Sequence, residues 1–323
     1  MRKRIRQLSI VAVIILAGIA AFLLAARAGW LTPSEAVLRA RYGSAESQFV
    51  TVDGQTVHFI DQGEGPAVVL VHGSYGSLRN WNEWADALIP RYRLIRFDRP
   101  RMGLSGPAPA GRTGSEQELR VIEALTEQLG VERFFLAVTS SAGVSGTAYA
   151  ADNPQRIRGL ILSNIAVGSY TGRSERTATL RFLLAMDPWL NGWRSTEFWR
   201  QVLLINLEND EKVTDDLARE WSELNNRAQR MPAPTFGNPA ELTERTIEGL
   251  GRMSIPTLLL WSDNDHERPV EIVGRYGYEL LGSSDRKLEI VADCGHIMPL
   301  DCGSESARKA VAFFDRLAAA EAE

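Results

Sequence analysis

Cysteine, histidine and lysine are scarce in this 323-residue chain, with two, four and four of each. Cys294 and Cys302 are not a CxxC pair, and the four histidines lack the i, i+4 spacing of a zinc helix, so metal chemistry has no support and no metal ligand is expected. No glycine-rich phosphate loop follows a strand-like run; Gly63-Glu64-Gly65-Pro66 is a turn, because proline cannot open a helix with free N–H groups. Internal repeats and low-complexity tracts are absent. A basic surplus is also missing: the formal charge is −4, and residues 1–28 hold five basic and no acidic side chains, which leaves −9 for residues 29–323. Nucleic acid is therefore not an expected partner. What is present, 45% apolar and 24% charged residues, is ordinary for a globular protein of one large domain or two small ones.

The charge imbalance has a local cause. Arg2, Lys3, Arg4 and Arg6 precede an uncharged run of 19 residues from Leu8 to Ala26. As a helix rising about 1.5 Å per residue, that run nearly matches the roughly 30 Å thickness of a bilayer's hydrocarbon. With four positive charges before it and only Arg27 directly after it, the amino terminus is expected in the cytoplasm and the body on the far side. A cleaved signal is the competing reading, since Ala26-Arg27-Ala28 fits a small-x-small pattern. The length of the run, beyond the roughly 7–15 residues usual for signal peptides, favours an uncleaved anchor over residues 1–28. Cys294 and Cys302 could pair in an oxidising compartment; without geometry, two small buried thiols are the expectation.

Residues 29–48 read as a stalk with a short helix starting at Thr32-Pro33-Ser34-Glu35. Phe49–Val52 and Thr56–Ile60 flank Asp53-Gly54 as a hairpin. Apolar strand-like runs follow at Ala67–Val71, Arg93–Phe97, Phe134–Val138, Leu160–Leu162, Thr257–Trp261 and Leu288–Val291. Helical patterns separate them, the clearest being Ser115–Leu129 with a Ser115/Glu118 capping box and Gly130 as its stop. This alternation predicts an α/β fold with a mostly parallel, doubly wound sheet, whose ligands sit beyond the carboxyl ends of the strands. It fails between about residues 168 and 252, a helix-rich insertion holding Trp189, Trp193, Trp199, Trp221 and the Met231-Pro232-Ala233-Pro234 breaker.

Three strand ends carry a serine, an aspartate and a histidine, in that order. Phe134–Val138 runs into Thr139-Ser140-Ser141-Ala142-Gly143; Thr257–Trp261 into Ser262-Asp263-Asn264-Asp265; Ile290-Val291 into Ala292-Asp293-Cys294-Gly295-His296. A serine hydroxyl is a poor nucleophile until a histidine takes its proton, and the histidine needs an acid to fix its tautomer. The N–H groups of a helix that follows a tight strand-to-helix turn can stabilise an oxyanion.

From about Phe49 to the carboxyl-terminal helix the sequence resembles the α/β-hydrolase fold superfamily. Leu70-Val71-His72-Gly73-Ser74-Tyr75-Gly76 looks like its His-Gly oxyanion segment, and Trp81 lies eight positions after Gly73. Phe97-Asp98-Arg99-Pro100-Arg101-Met102-Gly103-Leu104-Ser105 is similar to its Asp-x-Pro-Gly-x-Gly-x-Ser stretch, Ile255–Asp265 to its acid-bearing strand, and Gly295-His296 to its histidine. The resemblance implies a domain over residues 49–323, with the insertion at about 168–252 as a helical lid.

The elbow departs from Gly-x-Ser-x-Gly. Ser140 is flanked by Val138 and Ala142; Ser141 by Thr139 and Gly143. Family landmarks, an aromatic-Ala pair about nine residues on and a proline about fourteen on, match Tyr149-Ala150 and Pro154 when counted from Ser140. The resemblance thus implies Ser140 as nucleophile, Asp265 rather than Asp263 as acid, His296 as base, and the N–H groups of Ser74 and Ser141 as oxyanion donors. No carboxylate follows Leu160–Leu162 before Glu175, so the other acid position used by some relatives is empty. His58 is expected as a strand side chain, His266 as an exposed neighbour of the acid, His72 as a support of the oxyanion loop, and Arg101, where relatives have glycine, as a surface residue. A serine nucleophile disfavours the dehalogenase and epoxide-hydrolase branches. The expected activity is hydrolysis of a carboxylic ester or related acyl bond in a small, apolar acyl substrate, without a cofactor. The irregular elbow motivates the other reading, a non-catalytic binding protein of the same fold. The insertion's tryptophans suit an acyl pocket and a packed lid equally.

Overall fold

An apolar run such as Ala67–Val71 needs cover on both faces. In the computed structural model, which describes residues 2–170, 176–232, 235 and 237–322, it has that cover. Eight strands, β1 (Ser47–Val52), β2 (Gln55–Gln62), β3 (Ala67–Val71), β4 (Arg93–Phe97), β5 (Phe134–Thr139), β6 (Ile157–Ser163), β7 (Thr257–Ser262) and β8 (Arg286–Val291), form one sheet in the order 1-2-4-3-5-6-7-8. Pairings from β4 to β8 are parallel; β1–β2 and β2–β4 are antiparallel. The β1–β2 hairpin turns on Asp53 and Gly54, both at positive φ, 50° and 87°, as a tight hairpin with this pair requires.

Side-chain alternation divides the core. Val69, Val71, Leu136 and Val138 join one buried cluster with Val121, Ile122 and Leu125, while Val68, Leu70, Phe135 and Ala137 join another with Trp81, Trp84, Leu88 and Phe314. A one-residue slip of β5 would exchange these sets, and with each buried side chain worth on the order of 2 kcal/mol the register is strongly fixed.

The chain starts with two helices outside the sheet. Helix α1 (Arg2–Ala28) is long and apolar enough to cross a membrane, with a mean hydropathy of 2.9, and its apolar faces are exposed. Helix α2 (Glu35–Tyr42), capped by Ser34 as the sequence suggests, is docked within the expected stalk: Leu38 and Tyr42 are buried with Leu104 and Leu224. Helix α3 (Asn82–Leu88) covers one face of the sheet, and α4 (Gly114–Gln128) and α5 (Gly143–Asp152) cover the other. The cap of α4 differs from expectation. Thr113 and Glu116 form the capping box, two residues before Ser115 and Glu118, and Glu118 is buried instead.

Between β6 and β7 lie α6 (Ala178–Ala185), α7 (Asp187–Leu190), α8 (Thr196–Asn206), α9 (Asp215–Gln229) and α10 (Pro239–Arg252). Leu180, Phe198, Trp199, Leu203 and Trp221 give α6, α8 and α9 a core of their own. Helix α10 is different: its Leu250 enters the sheet's core and Gly249 lies against Thr147 of α5. The inserted layer thus ends with α9, short of the expected boundary at 252. Of the proline breaker, Ala233 and Pro234 lie outside the described residues, as does Glu175. Helices α11 (Arg275–Leu280), α12 (Met298–Asp301) and α13 (Gly303–Ala322) complete the fold, with Phe313 and Phe314 of α13 packed beside α3.

Candidate active site

The parallel strands end along one edge, and the three singled-out polar residues meet there. Ser140 follows β5 in a left-handed backbone conformation, φ 53°, and a single turn of 3₁₀ helix leads on into α5. A non-glycine residue held at positive φ stores strain, which the surrounding structure must enforce. Two close approaches do so here. A Cβ on Gly73 would lie 2.9 Å from the Ser140 Cβ, so only glycine lets the loop after β3 pass the turn. On the other side, Val138 fills the place that a Cβ on Gly146 would take, 2.6 Å from Val138 Cγ1. The bulk of Val138, where the family motif has glycine, is accommodated by a missing side chain in α5.

Ser140 Oγ lies 2.9 Å from His296 Nε2, and His296 Nδ1 lies 2.8 Å from Asp265 Oδ2. With Nδ1–H donating to the buried carboxylate, Nε2 is the free acceptor for the serine proton. Asp265 is itself held by the N–H groups of Glu267 and Arg268, 2.9 and 2.8 Å from Oδ1. Asp263 does different work: its carboxylate accepts the N–H groups of Asp293 and Cys294 and so shapes the histidine loop.

That loop is fixed from four sides. Ser262 Oγ donates to Gly295 O at 2.6 Å, and the Asn164 amide donates to His296 O at 2.9 Å. Asn164 follows β6, where the sequence offered no acid; the position holds a buried amide that ties β7 to the histidine loop. Asp301 accepts the Gly295 N–H at 2.6 Å and also the N–H groups of Glu208 and Asn209 beyond α8. Cys294 and Cys302 are joined in a disulfide with Cα atoms 5.8 Å apart, which corrects the expectation of two separate thiols. It closes the segment that carries His296 and Asp301. Replacing Cys302 by serine is expected to remove about 2 kcal/mol of stability, from the entropy of so short a loop, and to reduce turnover more than substrate affinity; thermal melting and kcat/KM measure the two effects.

Burial alone would lower the pKa of His296, but the charge and hydrogen bond of Asp265 outweigh it, joined by the charge of Glu267, and the imidazole ends above its ordinary value. Glu267 carried no sequence signal. Its carboxylate lies 3.5 Å from His296 Nε2, the atom facing the serine. For a reaction in which the neutral imidazole acts as base, activity is expected to rise as pH increases through this raised pKa. Glu267→Gln is expected to move the acid limb of the kcat/KM profile to lower pH; an unmoved limb would contradict the coupling.

On the other side of Ser140 lies the loop after β3, the segment expected to face an oxyanion. The Ser74 N–H has no acceptor among the described residues, and Ser141 stands in the first turn of a 3₁₀ helix, where N–H groups lack helical partners. Their hydroxyls are 2.8 Å apart, and Arg99 Nη1 donates to Ser141 Oγ at 2.8 Å. Arg99 pairs with the buried Glu118 at 2.6 Å, whose carboxyl burial pushes up against the pull of the guanidinium, and Ser145 Oγ donates to Glu118 at 2.5 Å. The sequence assigns Arg99 no role at the site and marks Glu118 only as a capping residue of α4. His72 is buried, donates from Nδ1 to Gly73 O and accepts the Arg99 N–H at Nε2; desolvation pushes its pKa down to about 4. It is a neutral strut for the loop. His58 bridges Asp98 and Ser47 inside the fold, and His266 is exposed. Arg101, expected on the surface, is half-buried at φ 70° with Nε donating to Ala228 O of α9.

A cavity of about 250 Å³ joins these parts, lined by Ser74, Ser140 and His296 from the body and by Val202, Asn206 and Trp221 from the inserted helices. The insertion's tryptophans divide: Trp199 and Trp221 are core, the first packing on Tyr75 and the second also lining the cavity, Trp193 meets Phe22 of α1, and Trp189 is exposed. Among the described residues no cluster of three or more metal-ligating side chains occurs.

The chain is 29% identical over 268 residues to a 2-hydroxy-6-oxononadienedioate/2-hydroxy-6-oxononatrienedioate hydrolase of Cupriavidus pinatubonensis, an alignment covering 77% of this chain and 89% of that one. Among solved structures, it matches a meta-cleavage product hydrolase of Pseudomonas fluorescens IP01 with a TM-score of 0.68 at 22% identity, over 83% of this chain and 97% of the other. A bacterial membrane phospholipase A described as a virulence factor matches with a TM-score of 0.63 at 22% identity, over 96% and 99%. The family model for the alpha/beta hydrolase fold matches residues 66–301, a stretch that holds every strand from β3 to β8 and the serine, aspartate and histidine just described, and the chain belongs to that family.

Proposed function

We propose that the protein is a membrane-tethered serine hydrolase that cleaves acyl esters through an acyl-enzyme. The observation that carries this reading is the hydrogen-bonded row Ser140–His296–Asp265, with the serine at positive φ on the elbow. Ser140 Oγ attacks the substrate carbonyl while His296 Nε2 takes its proton. The oxyanion forms between the N–H groups of Ser74 and Ser141. Collapse breaks the C–O bond, His296 returns the proton to the departing alcohol, and a water repeats the sequence to free the acid. Asp265 holds the imidazole tautomer and stabilises its cation. Helices α6 to α9 act as the lid that keeps bulk water from the intermediate.

Glu267 supports an ester without a negative charge at the imidazole, since its carboxylate would repel one there. Identity to a dienedioate hydrolase favours a second reading, cleavage of a carbon–carbon bond next to a carbonyl, with Arg268 of the cavity wall as its anion partner. The two separate by experiment. Quenched mixtures with a medium-chain p-nitrophenyl ester should show the Ser140 peptide heavier by one acyl group; turnover of a 2-hydroxy-6-oxodienoate with the esters inert selects the second reading.

Tethering is supported by the apolar length of α1 and by the phospholipase's match along nearly the whole chain. The positive residues before the apolar run favour a cytoplasmic amino terminus, and the disulfide suits an oxidising compartment on the far side. Alkaline phosphatase fused after residue 323 should be active outside the cytoplasm and the chain should keep residues 1–28. Activity confined to a cytoplasmic reporter would sink the orientation, and a mature terminus near Gly29 would replace the anchor by a cleaved signal.

A further inference from the structure

The body touches α1 well inside its apolar run. Phe22 packs edge-on against Trp193 with ring centroids 5.6 Å apart, Ala26 is buried, and Arg27 Nη1 reaches Pro188 O at 3.5 Å. Phe22 precedes the helix end at Ala28 by six residues, about 9 Å along the axis. On the reading that α1 spans a bilayer, which this inference requires, Phe22 lies in hydrocarbon. Whatever touches it then sits at the boundary between acyl chains and headgroups.

Helix α7, which packs on α1, and the segments beside it, α6 and the turn after α1, expose aromatic side chains to solvent. Trp189, next to Pro188 in α7, is 62% exposed and Phe182 of α6 is 65% exposed, while Trp30, two residues past α1, is 80% exposed. Their chain neighbours Leu180 and Leu190 are the buried residues of α6 and α7, so Phe182 and Trp189 are surplus to the insertion's packing. Tryptophan at the level of lipid headgroups places its ring among acyl chains and its N–H among polar groups. Exposed Arg27 and Arg181 stand in the same segments, suited to lipid phosphates. From this geometry we propose that α6, α7 and the turn at Trp30 form a surface seated on the phospholipid bilayer that α1 crosses. The lid then rests on the membrane, and substrate reaches the cavity from the lipid phase.

The test uses the full chain in nanodiscs of phosphatidylethanolamine and phosphatidylglycerol, with p-benzoylphenylalanine replacing Ile14, Phe182, Trp189 or Ile290 in turn. After irradiation, lipid adducts are expected at positions 14, 182 and 189 and not at Ile290 on the edge strand β8. Adducts at 14 but not at 182 and 189 overturn the seating surface and leave the anchor standing. None at 14 removes the anchor reading and this proposal with it. Crosslinks from 182 and 189 to a second copy of the chain, or equal lipid labelling at 290, also overturn it. A second readout is kinetic: Phe182→Ser with Trp189→Ser should lower turnover of a long-chain ester held in the same bilayer about tenfold and leave a soluble short-chain ester unchanged. Equal loss on both substrates counts against the proposal.

Discussion

Ser140→Ala is expected to lower kcat/KM on an acyl substrate by about 10⁴-fold or more and to abolish covalent labelling by a fluorophosphonate, since the nucleophile and its histidine act as a unit. Ser141→Ala should label. The two serines are adjacent, yet their surroundings assign them opposite work: Ser140 Oγ faces His296 at 2.9 Å, whereas Ser141 Oγ is held between Arg99 and Ser74, each at 2.8 Å. Ser141 loses only a hydroxyl that braces the oxyanion segment and keeps its N–H, so a loss of about tenfold is expected. Both variants retain the wild-type circular dichroism spectrum if the effect is chemical. Labelling that survives in Ser140→Ala and vanishes in Ser141→Ala would move the nucleophile by one residue; a folded wild-type protein that neither labels nor turns over esters would return the fold to a binding role.

The second large effect concerns stability. Arg99→Met leaves the fully buried Glu118 with Ser145 as its remaining partner, and breaking one side of a buried ion pair costs about 3–5 kcal/mol. The penalty depends on pH with a definite sign. Burial raises the Glu118 pKa in the folded state, so the unfolded chain holds fewer protons above the ordinary carboxyl value and stability falls as pH rises. Without Arg99 this slope steepens, and the variant is closest to wild type in acid. Arg99→Met with Glu118→Met should regain most of the melting temperature, because an apolar pair of similar volume avoids the desolvation. Activity should stay low in the double variant, since nothing then holds the Ser141 and Ser74 hydroxyls. Recovery of both stability and turnover would show that the pair serves packing alone.

The sheet was legible because a strand buried on both faces needs a continuous apolar run, and all six runs read from the sequence became strands, two with the same bounds and four extended by one to four residues where pairing continued. The serine, aspartate and histidine were legible because strand-end residues project into the crevice of such a sheet. Other parts were not. Thr113-x-x-Glu116 and Ser115-x-x-Glu118 have the same capping spacing, and only the burial of Glu118 against Arg99 decides between them. Pairing of Cys294 with Cys302 depends on how closely α12 folds back, which spacing does not express. Glu267 reaches His296 because Asp265 draws the N–H of Glu267 inward, a local loop geometry without a motif. The four tryptophans of the insertion share one residue type and differ in environment, so composition alone could not sort pocket and core from surface and from the contact with α1.

The exchange of bulk between Val138 and Gly146 has an evolutionary consequence. A Cβ at 146 would meet the valine at 2.6 Å, so the two positions are free to vary only together, and a lineage passing between valine at the strand and glycine at the strand must change the helix in the same step or cross a less stable intermediate. The corner has room for one side chain, which can come from either side of the turn.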